Sequence, residues 1–399
     1  MQKALEFTIS HRLDGTLARA GVITTPHGQI ETPAFIPVGT KATLKALTPE
    51  QLKATGAQAV LANAYHLFLR PGADIIDEAG GIHAFMNWSG PTFTDSGGFQ
   101  VMSLGAGFKK VIDMSGNGPE NVTKKKEKLA WIDDDGVRFK SHLDGSLHKF
   151  TPELSMQIQH GIGADITFAF DELTTLHHDY NYQVESLEKR THPWAVRSLA
   201  EHQRLNAERS HRPPQALFGV IQGANYEDLR RRSAKFLGGM DFDGYGLGGA
   251  LEKDKIGEIV GWMCEELPED KPRHMLGISE PDDIFACIEN GADTFDCVSP
   301  ARVGRNGALY TRHGRVNIRR REFMRDFTPF DETCDCYTCQ HYTRAYLHHL
   351  FRAGELLANT LATIHNERFI VRLVDDIRES IKNGTFHEFK ASFLGKYYK

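Results

Sequence analysis

One local pattern recurs along this chain and restricts its fold: a helical segment ends at Gly-Ala, and a short apolar run follows. It occurs as LKATGAQAVLANAYH, as MQIQHGIGADITFAFDE and as IFACIENGADTFDCV. Glycine just past a helix is a common C-terminal stop, and an apolar run after it predicts a strand. Helices alternating with strands over most of 399 residues predict a parallel sheet. We expect a (β/α)8 TIM barrel, although an open doubly wound sheet fits the pattern nearly as well.

Polar residues stand where these predicted strands end. In parallel α/β folds the carboxyl ends of the strands share one face, and that face holds the active site. Strand ends also tolerate polar residues because they reach solvent, but three acids with amide and glycine partners favour a site. The residues are Asn63, Asp95, Asp171, Gln222, Gly249 and Asp296.

Composition excludes several classes of protein. The chain is 40% hydrophobic and 25% charged, as is usual for a globular protein, and its net charge of -5 gives no overall basic signal for nucleic acid. No apolar run approaches the roughly 20 residues that span a bilayer. The N-terminus MQKALEFTISHRLDG lacks the apolar core of a signal peptide. We expect a cytoplasmic protein with no membrane partner.

Two segments interrupt the alternation of helices and strands. Residues at about 107–130 are polar and charged, which predicts a long excursion from the barrel. Residues 331–399 predict a small metal-binding module followed by helices that pack on the barrel. The barrel itself is then expected to occupy residues 1–330.

Three of the six cysteines, Cys334, Cys336 and Cys339, crowd into CDCYTC. Thiolates this close in a chain without a disulfide framework favour a tetrahedral zinc site. Four protein ligands leave no open position for water, so the zinc is expected to be structural. Free thiols or an iron–sulfur cluster are weaker interpretations, and the spacing alone does not select the fourth ligand. The candidates are His341, His348, His349 and His365.

A run of arginines follows Asp296, and no acid interrupts it. Such a run predicts a local basic patch suited to an RNA backbone. The alternative is a solvated arginine face that pairs with acids elsewhere in the fold. The seven arginines are Arg302, Arg305, Arg312, Arg315, Arg319, Arg320 and Arg321.

Several motifs stand in an order that resembles the tRNA-guanine transglycosylases. They are TDSGGFQVMSL, SHLDGSLHKFTPELSMQIQ, FDE, LFGVIQG, FDGYGLGG, FDCVSPARVGRNG and the cysteine segment, and the resemblance runs from about residue 32 to about residue 385. It implies a TIM barrel with a zinc-binding insertion. It also implies a homodimer that exchanges guanine at the wobble position (34) of tRNA for a 7-deazaguanine base in queuosine modification, with tRNAs bearing a GUN anticodon as partners.

The resemblance assigns roles residue by residue. It makes Asp296 of FDCV the nucleophile and Asp95 of TDSGG the general acid/base. Arg302 and Arg305 are the expected RNA contacts. The implied base-binding residues are Asp171, Gln222, Gly249, Ser96 and Asn63, and the implied ligands of one structural zinc ion are Cys334, Cys336, Cys339 and His365.

Elementary chemistry agrees with these roles. Replacing one base on a ribose with retained configuration suits two displacements, in which a carboxylate attacks C1′ and holds the sugar covalently. A second acid protonates the departing guanine and later deprotonates the incoming base. A third acceptor facing the guanine N1–H and 2-amine selects guanine over adenine, while an amide donor meets O6.

The sequence departs from the family pattern beside the expected base pocket. Leu173 follows FDE where bacterial members usually have cysteine, and ALEKD follows Gly249. The incoming base is preQ1 or queuine, and we favour preQ1. The alternative function is a non-catalytic tRNA-binding subunit on the same scaffold, against which the presence of both Asp95 and Asp296 argues. A glycoside hydrolase has little support from the arginine run and the cysteine cluster.

Overall fold

The computed structural model describes residues 3–106, 130–208 and 212–399 of the chain. Its strands are β1 (Glu6–Arg12), β2 (Arg19–Thr25), β3 (Gly28–Thr32), β4 (Ala34–Pro37), β5 (Val60–Ala62), β6 (Thr92–Thr94), β7 (Ala130–Asp133), β8 (Gly136–Lys140), β9 (Leu147–Phe150), β10 (Ile166–Phe168), β11 (Ala216–Ile221), β12 (Gly244–Leu247), β13 (Arg273–Met275), β14 (Thr294–Cys297), β15 (Ala308–Thr311) and β16 (Gly314–Asn317). Its α-helices span Pro49–Lys53, Ala64–Leu69, Ala73–Glu78, Ile82–Met86, Gly98–Ala106, Pro152–Ile162, Tyr180–Ser186, His192–Glu208, Glu227–Gly238, Ile256–Cys264, Pro281–Glu289, Ser299–Arg305, Tyr337–His341, Arg344–Ala353, Leu356–Lys382 and Phe386–Tyr397.

Eight strands form one parallel sheet in the order β4-β14-β13-β12-β11-β10-β6-β5. A parallel bridge between Val38 and Leu61 joins the two outer strands and closes the sheet into a barrel. All six residues of β11 are buried, as expected for a strand covered on both faces. The predicted (β/α)8 barrel is confirmed, and the open doubly wound sheet is not adopted.

The Gly-Ala pattern acts as the sequence predicts. The Pro152–Ile162 helix begins at Thr151, whose side chain accepts a hydrogen bond from the Leu154 N–H, and it ends at Gly163 with φ of 78°. Glycine adopts this left-handed conformation without the steric penalty that a Cβ brings. Ala164 and Asp165 then lead directly into β10.

A small antiparallel sheet of β1, β2 and β3 is tied to the end of the barrel at which the strands begin. Arg19 of β2 donates two hydrogen bonds, of 2.9 and 2.7 Å, to the buried carboxylate of Asp293, which precedes β14. At the turn between β2 and β3, His27 Nδ1 lies 2.6 Å from Asp165 Oδ1, while His83 Nε2 lies 3.0 Å from Oδ2. Two buried aspartates therefore anchor this sheet below the barrel.

The predicted excursion at about 107–130 falls on residues 107–129, which lie outside the described residues. The described chain resumes at Ala130 with an antiparallel sheet of β7, β8 and β9. Phe139 and Phe150 of this sheet are fully buried in the main apolar cluster. The segment after the excursion therefore belongs to the core of the protein.

The C-terminal segment packs on the barrel. The Leu356–Lys382 helix contacts β4 and the Ser299–Arg305 helix, and its buried Leu361 shares an apolar cluster with Val60 of β5. The division between a barrel at 1–330 and a module with helices at 331–399 stays a prediction. Along the described parts of the chain, no helix is both long enough and apolar enough to cross a membrane.

Candidate active site

The face at which the barrel strands end carries the predicted site residues. Asp95 directly follows β6, Gln222 directly follows β11, and Asp296 lies within β14. Asp171 lies just beyond β10, and Gly249 just beyond β12. Because the strands are parallel, all of these residues stand at one end of the barrel.

Asp95 is held by the segment that follows β5. Its Oδ1 accepts a hydrogen bond of 2.8 Å from the Ala64 N–H, and its Oδ2 accepts one from the Asn63 side-chain amide. Burial nevertheless raises the pKa of Asp95 to about 6, and the negative charge of Asp296 adds to the rise. A carboxyl group with this pKa exchanges a proton readily near neutral pH, as a general acid/base must.

Asp296 has a different environment. Its Oδ1 accepts hydrogen bonds of 3.1 Å from His274 Nε2 and from the Gly277 N–H. Among the described residues, no hydrogen bond is made to its Oδ2. A carboxylate with one oxygen restrained by two donors and the other uncommitted is suited to nucleophilic attack.

Asp171 and Gln222 form a second polar group on the same face. The Gln222 amide donates a hydrogen bond of 2.7 Å to Asp171 Oδ2, and the Ser96 hydroxyl lies 3.5 Å from Oδ1. Burial raises the pKa of Asp171 to about 6, against the lowering effect of the Gln222 hydrogen bond. Gln222 Oε1 is buried without a hydrogen-bond partner in the described chain. A buried acceptor without a donor is costly, so this group is suited to receive a polar ligand.

Gly249 occupies a position at which a side chain would be strained. Its φ is 95°, and a Cβ there would lie 2.7 Å from Gln222 Oε1 and 2.8 Å from Arg230 Nη2. Arg230 is fully buried and donates to the backbone carbonyls of Ile221, Ala224 and Gly248. This arginine joins the loops that follow β11 and β12, and the glycine leaves their backbone open to a ligand.

The residues that depart from the family pattern follow β10 and β12, the same strands after which Asp171 and Gly249 lie. Leu173 is partly buried, and its N–H lies 3.1 Å from Met102 Sδ. Leu251 is buried in the second apolar cluster, whereas the carboxylate of Glu252 forms an exposed ion pair of 2.9 Å with Lys255. Leu251 therefore contributes apolar packing in the segment after β12, and Glu252 contributes charge at its surface.

The helix that follows β14 carries the two predicted RNA contacts. Arg302 is exposed and Arg305 is partly buried, on the Ser299–Arg305 helix directly after Asp296. Burial lowers the pKa of the Arg305 guanidinium, and the charge of Arg302 lowers it further. Two cations close together beside the site attract a polyanion. Not every arginine of the run from Arg302 to Arg321 is available to an RNA backbone, since Arg315 forms an ion pair with Glu280.

The three cysteines surround one histidine. The distances from His365 Nδ1 to the sulfur atoms of Cys334, Cys336 and Cys339 are 3.7, 3.5 and 3.3 Å. A tetrahedral zinc ion with usual Zn–S and Zn–N bonds would separate these atoms by about 3.6 Å. His365 Nε2 lies 2.7 Å from the Tyr310 carbonyl oxygen, an interaction that orients the ring with Nδ1 toward the sulfurs. These donors fit a zinc ion.

The other candidate histidines point elsewhere. His341 Nδ1 lies 2.8 Å from the Tyr337 carbonyl oxygen, and His348 Nδ1 lies 3.0 Å from that of Ile318. The ring of His349 lies 6.4 Å from that of Tyr346. Of the four histidines, His365 is the one that the fold brings to the cysteines.

Sequence reasoning did not identify His274, Gly277 or Arg230. His274 and Gly277 contact the Asp296 carboxylate, and Arg230 supports the loop at Gly249. The run RHMLGIS predicts a strand, but no local pattern shows that its histidine faces β14. The available signal is the alternation of side chains along a strand. It places His274 and Thr294, which are paired in register on β13 and β14, on the same face of the sheet.

Fold and site together define a class: (β/α)8-barrel enzymes with unlike carboxylates at the catalytic face and a Cys3His cluster. The profile of the family described as Queuine tRNA-ribosyltransferase matches residues 14–399. The chain belongs to the queuine tRNA-ribosyltransferase family.

Bacterial relatives match this chain over nearly its whole length. The proteins named Queuine tRNA-ribosyltransferase from Caldanaerobacter subterraneus subsp. tengcongensis and Thermoanaerobacter pseudethanolicus are each 46% identical to it, covering 99% of this chain and 98% of their own. The protein of that name from Roseiflexus sp. is 46% identical over 98% of this chain and 99% of its own. The resemblance found in the sequence is thus confirmed.

Proposed function

We propose that this protein is a tRNA-guanine transglycosylase, a pentosyltransferase that exchanges guanine at position 34 of tRNA for a 7-deazaguanine base. The observation that carries the proposal is the contrast between two carboxylates on one barrel face. Asp95 has a pKa raised to about 6, while Asp296 has one oxygen held by two donors. A proton donor and an anionic nucleophile are what a displacement at C1′ requires.

In the first displacement, Asp296 Oδ2 attacks C1′ of the nucleotide and the bond from C1′ to guanine breaks. Asp95 gives its proton to the departing guanine, so the base leaves neutral and Asp95 becomes a carboxylate. In the second displacement, Asp95 takes a proton from the incoming base, whose nitrogen attacks C1′. The bond between C1′ and Asp296 then breaks, and both carboxyl groups return to their starting states.

The Asp171–Gln222 pair is proposed to read the base. Asp171 accepts from the guanine N1–H and 2-amine, while the Gln222 amide and the Gly249 N–H donate to O6. In the free protein the Gln222 amide is engaged with Asp171, and its buried oxygen has no partner in the described chain. Binding of a base would replace this internal bond, with Ser96 and Asn63 supporting Asp171 and Asp95 respectively.

We favour preQ1 as the incoming base and keep queuine as the alternative. A carboxylate in the segment after β12 suits the cationic aminomethyl group of preQ1, and Glu252 is available because exposed ion pairs such as that with Lys255 are weak. The deciding measurement compares kcat/KM for preQ1 and queuine on guanine-containing tRNA. A preference for queuine of tenfold or more, about 1.4 kcal/mol, would overturn the preQ1 choice alone.

Arg302 and Arg305 are proposed to contact the backbone of a tRNA with a GUN anticodon, with the wobble base turned out of its stack to enter the site. Cys334, Cys336, Cys339 and His365 are proposed to hold one structural zinc ion, which supports the segment after β16. Neither group takes part in the chemistry at C1′. We also place the reaction in the cytoplasm.

A homodimer is proposed from the resemblance, and an exposed apolar surface beside the cysteine cluster supports it. Tyr337 is 49% exposed and Tyr346 is 39% exposed, and both rings lie against Tyr342 with centroid distances of 5.8 and 5.4 Å. Large apolar side chains grouped at a surface favour a protein interface. Sedimentation equilibrium at micromolar concentration tests the dimer, and a monomeric mass would overturn it.

One assay separates the proposed function from its alternatives. The protein is incubated with radiolabelled guanine and an unmodified tRNA bearing a GUN anticodon, and label in the tRNA is counted. Incorporation supports the transglycosylase. Binding of tRNA without incorporation would indicate the non-catalytic subunit. If the protein neither binds tRNA nor incorporates guanine, a glycoside hydrolase becomes the function to test.

A further inference from the structure

His274 touches the proposed nucleophile from inside the barrel. It lies in β13, its side chain is fully buried, and its Nε2 is 3.1 Å from Asp296 Oδ1. On the other side of the ring, Nδ1 is 2.9 Å from the Thr294 hydroxyl. The rings of Phe93 and Phe168 pack against it with centroid distances of 5.4 and 5.2 Å. The imidazole is therefore fixed in place by neighbours on three strands, β6, β10 and β14.

The contacts determine which nitrogen carries the proton. A carboxylate oxygen accepts a hydrogen bond from a ring N–H, so we assign Nε2 as the nitrogen that donates to Asp296 Oδ1. Nδ1 is then an acceptor, and the Thr294 hydroxyl is its donor. This chain of bonds runs from Thr294 through His274 to Asp296, and each member has one role.

We propose that His274 is a positioning residue for the nucleophile and for its release, an inference that rests on the proposed function. With Oδ1 held by His274 and by the Gly277 N–H, Oδ2 is the oxygen that attacks C1′. In the covalent intermediate, Oδ1 is the carbonyl oxygen of the ester and keeps both donors. When the incoming base displaces the ester, the electron pair returns to the carboxylate, and the same two donors stabilise the charge that develops on Oδ1. His274 itself transfers no proton.

The alternative is that His274 only fills space in the barrel. If His274 only filled space, its replacement would affect folding, but kcat would not depend on whether the new side chain has a hydrogen-bond donor at the position of Nε2. Glutamine can place a side-chain amide near the position of Nε2, whereas phenylalanine fills similar volume without a donor. These two substitutions separate the roles.

The test measures steady-state exchange of labelled guanine into tRNA. His274→Phe is expected to lower kcat by about 10- to 100-fold, the effect of losing a hydrogen bond to a charged group. The KM for tRNA should stay within about twofold, because a buried ring that acts only on Asp296 does not stabilise the bound tRNA in the ground state. His274→Gln is expected to recover at least about tenfold of the lost kcat. A control, His202→Phe, removes another buried histidine from the outer helices and should leave kcat unchanged.

A second pair of variants keeps the test decisive if His274→Phe folds poorly. Thr294→Val removes the donor to Nδ1 while keeping the side-chain shape, and should lower kcat in an otherwise unchanged protein. In the His274→Gln background it should have little further effect, because the ring that it orients is absent.

Three results would overturn the inference. One is a His274→Phe variant with the kcat of the wild type, and another is a His274→Gln variant as slow as His274→Phe. The third is a Thr294→Val effect of equal size in both backgrounds. An inactive wild type would overturn the proposed function and this inference together, whereas an active wild type with unaffected variants would overturn the inference alone.

Discussion

At the scale of single residues, Asp95 and Asp296 are chemically identical side chains in contrasting surroundings. Burial raises the pKa of Asp95 to about 6, whereas Asp296 receives two donors on one oxygen. Pairs of titratable groups with unlike environments are a usual basis for dividing acid and nucleophile roles. Two predictions follow from this contrast.

Asp296→Asn is expected to abolish exchange while leaving tRNA binding largely intact. The amide cannot form the glycosyl ester, but the arginines beside it remain. The measurement is a denaturing gel, on which the wild type should give a slow-migrating protein–RNA adduct under trapping conditions. Formation of the same adduct by the Asn variant would place the nucleophile elsewhere.

The rate of adduct formation should depend on the protonation of Asp95. Because the pKa of this group is raised to about 6, its acid form is lost as the pH rises above that value, and guanine departure should slow. Single-turnover adduct formation measured from pH 5 to pH 8 tests this. The control is Asp95→Asn, which should form the adduct slowly and show no fall in rate as the pH rises. A wild-type rate that rises steadily across the range would contradict the assigned role.

At the scale of elements, the Ser299–Arg305 helix links the chemistry to the RNA, because it begins directly after the strand that carries Asp296. We predict that Arg302→Ala and Arg305→Ala each weaken tRNA binding and reduce the slope of log K against log salt by about one unit. Titrations at several salt concentrations measure the slope. Arg204→Ala, which removes an arginine paired with acids on an outer helix, should leave the slope unchanged, and unchanged slopes in the first two variants would put them off the RNA path.

The strands that follow Gly-Ala could be predicted because their signals are local. A helix stop, a turn and an apolar run lie within a few residues at β5, β10 and β14. The hairpin of β15 and β16 was not predicted, since it lies inside the arginine run and half of its residues are polar. Its pairing becomes evident only in the fold, where Leu309 of β15 is aligned with Val316 of β16.

The site shows the same contrast between residues whose positions follow from local sequence signals and contacts that depend on the complete fold. Strand-end position was enough to bring Asp95, Asp171 and Asp296 to one face, because parallel strands share their direction. Contacts between distant residues were not predictable, such as the ion pair of Arg315 with Glu280. The choice of His365 among four histidines came from the resemblance alone, because helical spacing does not give the position of the cysteines in space.

At the scale of the whole molecule, the Cys3His cluster is expected to stabilise the C-terminal segment. Cys336→Ala should lose zinc and lower the melting temperature, because binding energy at a structural zinc site contributes to folding. Metal analysis and thermal unfolding measure the two effects. Cys287→Ala, at a buried cysteine remote from the cluster, should keep its zinc. Full zinc occupancy in the Cys336 variant would remove this residue from the ligand set.

The contacts of His27 predict a pH dependence of stability. The hydrogen bond to Asp165 raises the pKa of His27, against the opposing effect of burial. A raised pKa in the folded state gives stability that is fully present below the unfolded value of 6.5 and is lost as the pH rises through the folded pKa. The difference in unfolding free energy between wild type and His27→Gln should therefore shrink between pH 6 and pH 9. A constant difference in urea melts would show that the pair is not ionised.

The aspartates at the two poles of the barrel have consequences for how this protein can change. Below the barrel, the Asp293 carboxylate is saturated by Arg19 and Asp165 by two histidines, so replacing these acids should cost folding rather than turnover. At the opposite pole, Gln222 has a buried side-chain oxygen without a hydrogen-bond partner in the described chain, and this group is proposed to bind the base. Substitutions that change base preference can therefore occur at the catalytic face while the opposite end of the barrel continues to stabilise the fold. That stability allows the protein to tolerate new substitutions that lower the free energy of unfolding.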